Sequence, residues 1–186
     1  NFSRAIPVTD SDGNETHPVI ALETGSGGDG SPYVSGAHVA WQDDRNGNED
    51  IYLGSSDTAF AATTVSQVTS GTGSQIEPAI AVDGQKTVYL VWTSVANGEA
   101  DIHGAASDSG PWTNLPIVVK PGDQTAPALA IEPGGTRLHV VWEDDVSGDR
   151  DVYYLSSEGL PGGPLAGRSI VDDSSGADQR APRVVC

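Results

Sequence analysis

The residues best suited to chemistry sit in two acidic turns. Asp44, Asn46, Asn48 and Asp50 alternate with other residues, and Asp145, Ser147, Asp149 and Asp151 repeat the spacing. Oxygen ligands at alternate positions suit Ca²⁺, a hard cation that takes carboxylate and carbonyl oxygens. Any bound cation is therefore expected to be Ca²⁺, held by Asp44, Asn46, Asn48 and Asp50 or by Asp145, Asp149 and Asp151. No other cofactor is expected. The same residues also suit a plainer task, because Asp and Asn side chains bond the backbone of the turns they occupy.

Neither loop completes an EF-hand, since Glu49 stands at its Gly position and Ser55 at its final Glu. An N-terminal cluster, Asp10 to Asn14, is as incomplete. Adjacent acids are common (Asp43-Asp44, Glu49-Asp50, Asp144-Asp145, Asp172-Asp173). A glycosidase needs two carboxyls at a set separation across a sugar, and acids recurring in hairpin turns read more simply as turn-capping residues. Of the histidines, His38 and His139 both stand three residues before a Trp, where a third such segment has Tyr89. That is a packing position. No Walker motif, G-x-S-x-G, H-E-x-x-H or C-x-x-C occurs, and no catalytic residue is assigned.

The elements that carry these turns are repeated. Three segments align without gaps: VAWQDDRNGNEDIYL (39–53), LVWTSVANGEADIHG (90–104) and VVWEDDVSGDRDVYY (140–154). Trp41, Trp92 and Trp142 keep one register, and Asp50, Asp101 and Asp151 keep it nine residues later. A second signature runs ahead of each: HPVIA (17–21), EPAIAV (77–82), APALAI (126–131) and finally APRVV (181–185), with Pro18, Pro78, Pro127 and Pro182 in common. Gln75, Gln124 and Gln179 stand three residues before the later three prolines. Each unit reads as four strands. The second alternates Val88, Leu90 and Trp92 on one face with Tyr89 and Val91 on the other. A Gly-containing turn follows, then a third strand such as DIYLG, then a ragged fourth (Thr64 to Val68, Leu115 to Val119, Arg168 to Val171).

Four antiparallel strands per roughly 50 residues is the size of a propeller blade. The expected fold is all-β, a β-propeller of four-stranded antiparallel blades. The units run roughly 17–69, 77–120 and 126–171, with 1–10 and 181–186 as strands of flanking blades. A sandwich does not explain the fixed register. Three complete blades cannot close a propeller, so the chain reads as part of one domain in a longer polypeptide. The GSGGDGS stretch (25–31) reads as a long loop inserted in the first unit, and as the decoration best placed to touch a partner.

The run WQDDRNGNEDIYL, with Gln-x-x-Pro after it, resembles the TolB-type propeller repeats of bacterial periplasmic and archaeal surface proteins. Trp41, Asp43, Arg45, Gly47, Asn48, Asp50, Ile51 and Tyr52 match that pattern. The third unit has Val146 for the Arg, and the second has Ser94 for the first Asp and His103 for the Tyr. Ser107 to Trp112 resembles, in shortened form, the Asp-box of sialidase-like propellers, where the box is structural. Hydrolytic sialidases also need clustered arginines. Arg4, Arg45, Arg137, Arg150, Arg168, Arg180 and Arg183 do not occupy one position in successive repeats.

Net charge is -17, from 26 acids against 9 bases in 186 residues. That argues against nucleic acid and against an anionic membrane surface. No apolar run reaches the length of a membrane-spanning helix. The single Cys186 cannot form an internal disulfide. The leading expectation is a non-catalytic, exported scaffold or binding module at the cell surface or in the periplasm, meeting protein, glycan or another copy of itself. The alternatives are part of a carbohydrate-active propeller enzyme whose active site lies in other blades, and a surface-layer or filament component.

Overall fold

The structure is a computed structural model that describes residues 7–57, 63–107, 111–135, 137–160, 169–170 and 176–186. The described residues form strands and no helix. Three antiparallel sheets follow in chain order, each a meander in which sequence neighbours pair. The first holds β1 (Glu15–Ser26), β2 (Pro32–Asp43), β3 (Asp50–Asp57) and β4 (Thr63–Gln67). The second holds β5 (Ser74–Val82), β6 (Val88–Ala96), β7 (Glu99–Ala106) and β8 (Leu115–Val118). The third holds β9 (Gln124–Ile131), β10 (Arg137–Asp144), β11 (Asp151–Glu158) and β12 (Ser169–Ile170). Within the last, the expected strand ends Arg168 and Val171 lie outside the described residues, as do Asp172, Asp173 and Arg4.

The alternation along β6 decides how the sheets stack. Val88, Leu90 and Trp92 enter one apolar cluster with Ala40, Ile51 and Leu53 of the first sheet. Tyr89 and Val91 enter another with Leu138, Val140 and Trp142 of the third. Both faces of the middle sheet are therefore covered, and all five side chains are buried. A period-two strand with apolar residues at every position fits only between two partners. Trp142 looks back at the second sheet as Trp92 looks back at the first. Trp41 is buried too, with Val8 reaching Gly54 beside it. The first strands gather on one side, β1 against β5 and β5 against β9. Stacked meanders with their first strands around one axis are propeller-like.

The turns after β2 and β10 differ from the turn after β6. In the middle sheet the hairpin zips up to Ala96 and Glu99, leaving only Asn97 and Gly98 to turn. Both have positive φ, 56° and 88°, the geometry of a type I′ hairpin. In the outer sheets pairing stops at Asp43–Asp50 and Asp144–Asp151, and six residues loop between them. Asp43 Oδ1 accepts the Arg45 N–H at 2.9 Å, and Asp144 Oδ1 accepts the Val146 N–H at 3.1 Å. Ser94 stands at that position in the middle sheet. A carboxylate that caps the backbone opens the turn; its absence lets the ladder continue.

The insertion in the first unit is not a loose loop. Gly25 and Ser26 belong to β1, and β2 begins at Pro32. Only residues 27–31 turn, held by Gly27 N–H to Ser31 O at 2.7 Å and by Ser31 Oγ to Asp29 at 2.6 Å. The extra residues lengthen a hairpin because its alternating positions can pair beyond the blade. Residues 176–186 carry no strand pairing.

Candidate functional site

Each first strand breaks at its Pro. The ladders skip from Thr16 to Val19, from Ile76 to Ala79 and from Thr125 to Ala128, so that an X-Pro pair faces each Trp. Pro has no N–H to give the ladder, and the break follows. The residue before it adopts a left-handed conformation: φ is 52° at His17, 55° at Glu77, 51° at Ala126 and 54° at Ala181. None of the four is Gly, so each such turn costs energy unless something fixes it.

At Glu77, Ala126 and Ala181 the preceding unit fixes it. Gln42 Oε1 accepts the Glu77 N–H at 2.9 Å, and Glu143 Oε1 accepts the Ala181 N–H at 2.7 Å. Both acceptors stand directly after a Trp. The middle unit has the shorter Thr93 there, and Glu77 reaches across instead. Its Oε2 accepts the Thr93 hydroxyl at 3.1 Å and the Ala126 N–H at 3.0 Å. Backbone bonds repeat the junction, with Gln75 N–H to Glu49 O and Gln179 N–H to Arg150 O. Residues 178–182 thus dock on the third unit as β5 docks on the first.

The four X-Pro turns surround a hub cavity of about 330 Å³. Its wall holds Pro18, Pro78, Pro127 and Pro182, with His17, Glu77 and Arg183 as the polar groups. Pro78 and Pro127 are buried, whereas His17 and Arg183 are exposed at its ends. An adjoining open cavity shares Pro18, Pro78 and Pro127 with it and adds Ile20, Ile80, Leu129 and Val184. The signature prolines of the repeat were legible as a pattern. The latch residues Gln42, Thr93 and Glu143 were not singled out, although their constant place after the Trp was the available signal.

The acidic turns do different work from one another. Asp43 is fully buried and receives the Trp41 indole N–H at 3.2 Å and Arg45 Nε at 2.9 Å. Burial pushes its pKa up, but Arg45 and the Trp41 N–H outweigh this and hold it below the ordinary range. Arg45 also lies 4.2 Å over the Tyr52 ring, which stacks on Trp41. Asp44 accepts both the backbone and the side-chain amide of Asn14, and Asp145 likewise accepts the Asp123 N–H. Asn46 donates to Tyr52 Oη, and Asn48 to Gly73 O. Asp50 is buried and accepts Thr69 and Gln67. In the third unit Asp151 accepts Ser147 Oγ, while Asp149 accepts the Gly176 N–H. Most of the side chains expected to share one cation thus bond protein partners outside their own set. Among the described residues no group of three or more His, Cys, Asp or Glu is placed to hold a metal ion.

Burial raises the Asp50 pKa above its ordinary 3.8, despite the bonds from Thr69, Gln67 and Asn46, and it raises that of Asp101 as well. The folded state then holds the proton more tightly than the unfolded chain. Stability from this group is present below about pH 4 and is lost as pH rises through the raised folded value. Asp50→Asn cannot lose that contribution. In urea titrations the variant is expected to gain on the wild type as pH rises from about 4 to 7. A difference constant across that range would contradict the assignment.

No family model matches the chain, and no curated protein matches it. Among solved structures, a thermostable family-43 glycoside hydrolase is similar, at 15% identity and a TM-score of 0.49. The match covers 95% of this chain and 64% of that one, so this chain spans less than two thirds of it.

Arg45 pairs with Asp43, Arg137 with Glu158, Arg150 with Glu143 and Arg180 with Asp178. The Asp-box stretch is described only at Ser107, Pro111 and Trp112; residues 108–110 lie outside. Trp112 packs against the cluster between the first two sheets.

Proposed function

We propose that this chain is part of an exported β-propeller of the TolB type that binds a partner at its hub and does no chemistry there. The total blade number and the closure of the ring belong to the same proposal. The observation that carries it is the hub itself. Four X-Pro turns, three of them latched by the unit before, hold an open, mostly apolar cavity lined by Arg183, His17 and Glu77. Concave apolar sites with a few placed polar groups are where ligands bind. The expected partner is a protein segment or a glycan. The charge of -17 disfavours nucleic acid and anionic lipid, and no helix of the described residues is long and apolar enough to cross a membrane. Export is supported by the acidic composition and by the repeat's resemblance to periplasmic and surface proteins.

Peptide and glycan arrays test this directly. Binding is expected that falls about tenfold or more, some 1.4 kcal/mol, in Arg183→Ala combined with His17→Ala. Neither residue supplies a latch, so the fold is expected to persist. No array hit, or hits indifferent to both substitutions, would overturn the hub as the site.

A further inference from the structure

The long hairpin of the first unit builds a second constellation, away from the hub. His38 on β2 is buried and makes two hydrogen bonds. Its Nε2 lies 2.9 Å from Glu23 Oε1 on β1, and its Nδ1 lies 2.9 Å from Ser55 Oγ on β3. The other carboxylate oxygen, Glu23 Oε2, accepts Lys86 Nζ at 2.8 Å and Ser35 Oγ at 3.3 Å. Gly36 makes room, because a Cβ there would meet the Glu23 carboxyl at 3.0 Å. The three residues line an open cavity of about 410 Å³ with Ser35, Ser56, Asp57 and Thr64.

We propose that Ser55 is an activated nucleophile, with His38 as its general base and Glu23 as the positioning residue, acting on neutral short-chain carboxylic esters. Nucleophile, base and orienting acid in one hydrogen-bonded row is the arrangement that such chemistry needs. Burial pushes the Glu23 carboxyl up, but Lys86 and His38 hold it below the ordinary range, so it stays an anion. An anion at Nε2 keeps the ring proton there, which leaves the Nδ1 lone pair for the Ser55 hydroxyl. In the reaction Ser55 Oγ bonds the acyl carbon as its proton passes to Nδ1. The C–O bond to the leaving alcohol breaks, and the alcohol takes that proton. Water then repeats the transfer and releases the acid. The hydroxyl-lined cavity, with Asp57 at its rim, disfavours an anionic substrate.

The other units supply the contrast. Glu132 and His139 repeat the first pair at 3.3 Å, but Tyr154 Oη occupies Nδ1. The middle unit has Tyr89 bonded to Asp83. In the third unit Ser156 stands opposite His139 in the ladder, as Ser55 stands opposite His38, but among the described residues only the first unit has a serine hydroxyl bonded to the ring. It is also the unit whose added hairpin residues carry β1 past Glu23 to Ser26.

The test is a fluorophosphonate probe with peptide mapping, together with p-nitrophenyl acetate turnover. Labelling is expected at Ser55, and both readouts should fall about 10²-fold or more in His38→Gln, the scale of general-base catalysis. Ser55→Ala should abolish them, Glu23→Gln should weaken them, and Ser156→Ala in the third unit should leave them unchanged. Thermal unfolding of each variant separates lost fold from lost chemistry. An unlabelled Ser55 in the folded wild type, or labelling that His38→Gln leaves intact in a folded variant, would overturn the proposal. Either result leaves the hub reading untouched, because the sites share no residue.

Discussion

Trp92→Ala is expected to lower the unfolding free energy by about 3–5 kcal/mol, the range for truncating a buried Trp. The side chain is fully buried between the first and second sheets. Truncation removes packing against Ala40, Ile51 and Leu53 at once. It also strands Gln75, whose Oε1 receives the indole N–H at 2.7 Å. An unsatisfied buried acceptor adds to the cavity cost. Urea unfolding with a constant slope would read the loss as a fall in midpoint. A cost below about 1 kcal/mol would mean that the two sheets are not held through this residue.

Asp43→Ala is expected to cost about 3 kcal/mol, because one carboxylate serves a buried indole, a turn amide and a guanidinium. The paired Arg45 is about a quarter exposed, its side chain at 26%, so water can take over part of its solvation. The Trp41 N–H has no such outlet. The protein contains its own control. Ser94 occupies the same place in the middle unit, where the Trp indole turns to Gln75 and the turn needs no cap. Ser94→Ala is therefore expected to cost under about 1 kcal/mol. Equal costs at the two positions, measured by the same urea titrations, would refute the division of labour among the turns.

The parts of this fold that were legible in the sequence are those governed by local periodicity. The split of Val88, Leu90 and Trp92 from Tyr89 and Val91 follows from side chains alternating across a strand, and the two faces enter separate apolar clusters. The Trp register and the Gly turns place the strand pairs for the same reason. The latches were not legible. Gln42 reaches Glu77 across 35 residues, and Glu77 reaches Ala126 across 49. The place of Gln42, Thr93 and Glu143 directly after each Trp marks the position, but not which other unit's backbone it serves. The stretch at 25–31 read as a loop because Gly and Ser are turn formers, yet two residues of it pair as strand. Cross-strand bonding outweighed their propensity. The histidines were placed correctly as repeat-equivalent. That view alone hid the difference that matters at His38, where a serine rather than a tyrosine faces the ring.

The most direct measurement is a crystal structure of this chain. It is expected to show three four-stranded meanders stacked in chain order, with Trp41, Trp92 and Trp142 in separate layers and Pro18, Pro78, Pro127 and Pro182 around one cavity. Two sheets packed face to face, with the three tryptophans in one shared core and the prolines scattered, would contradict it.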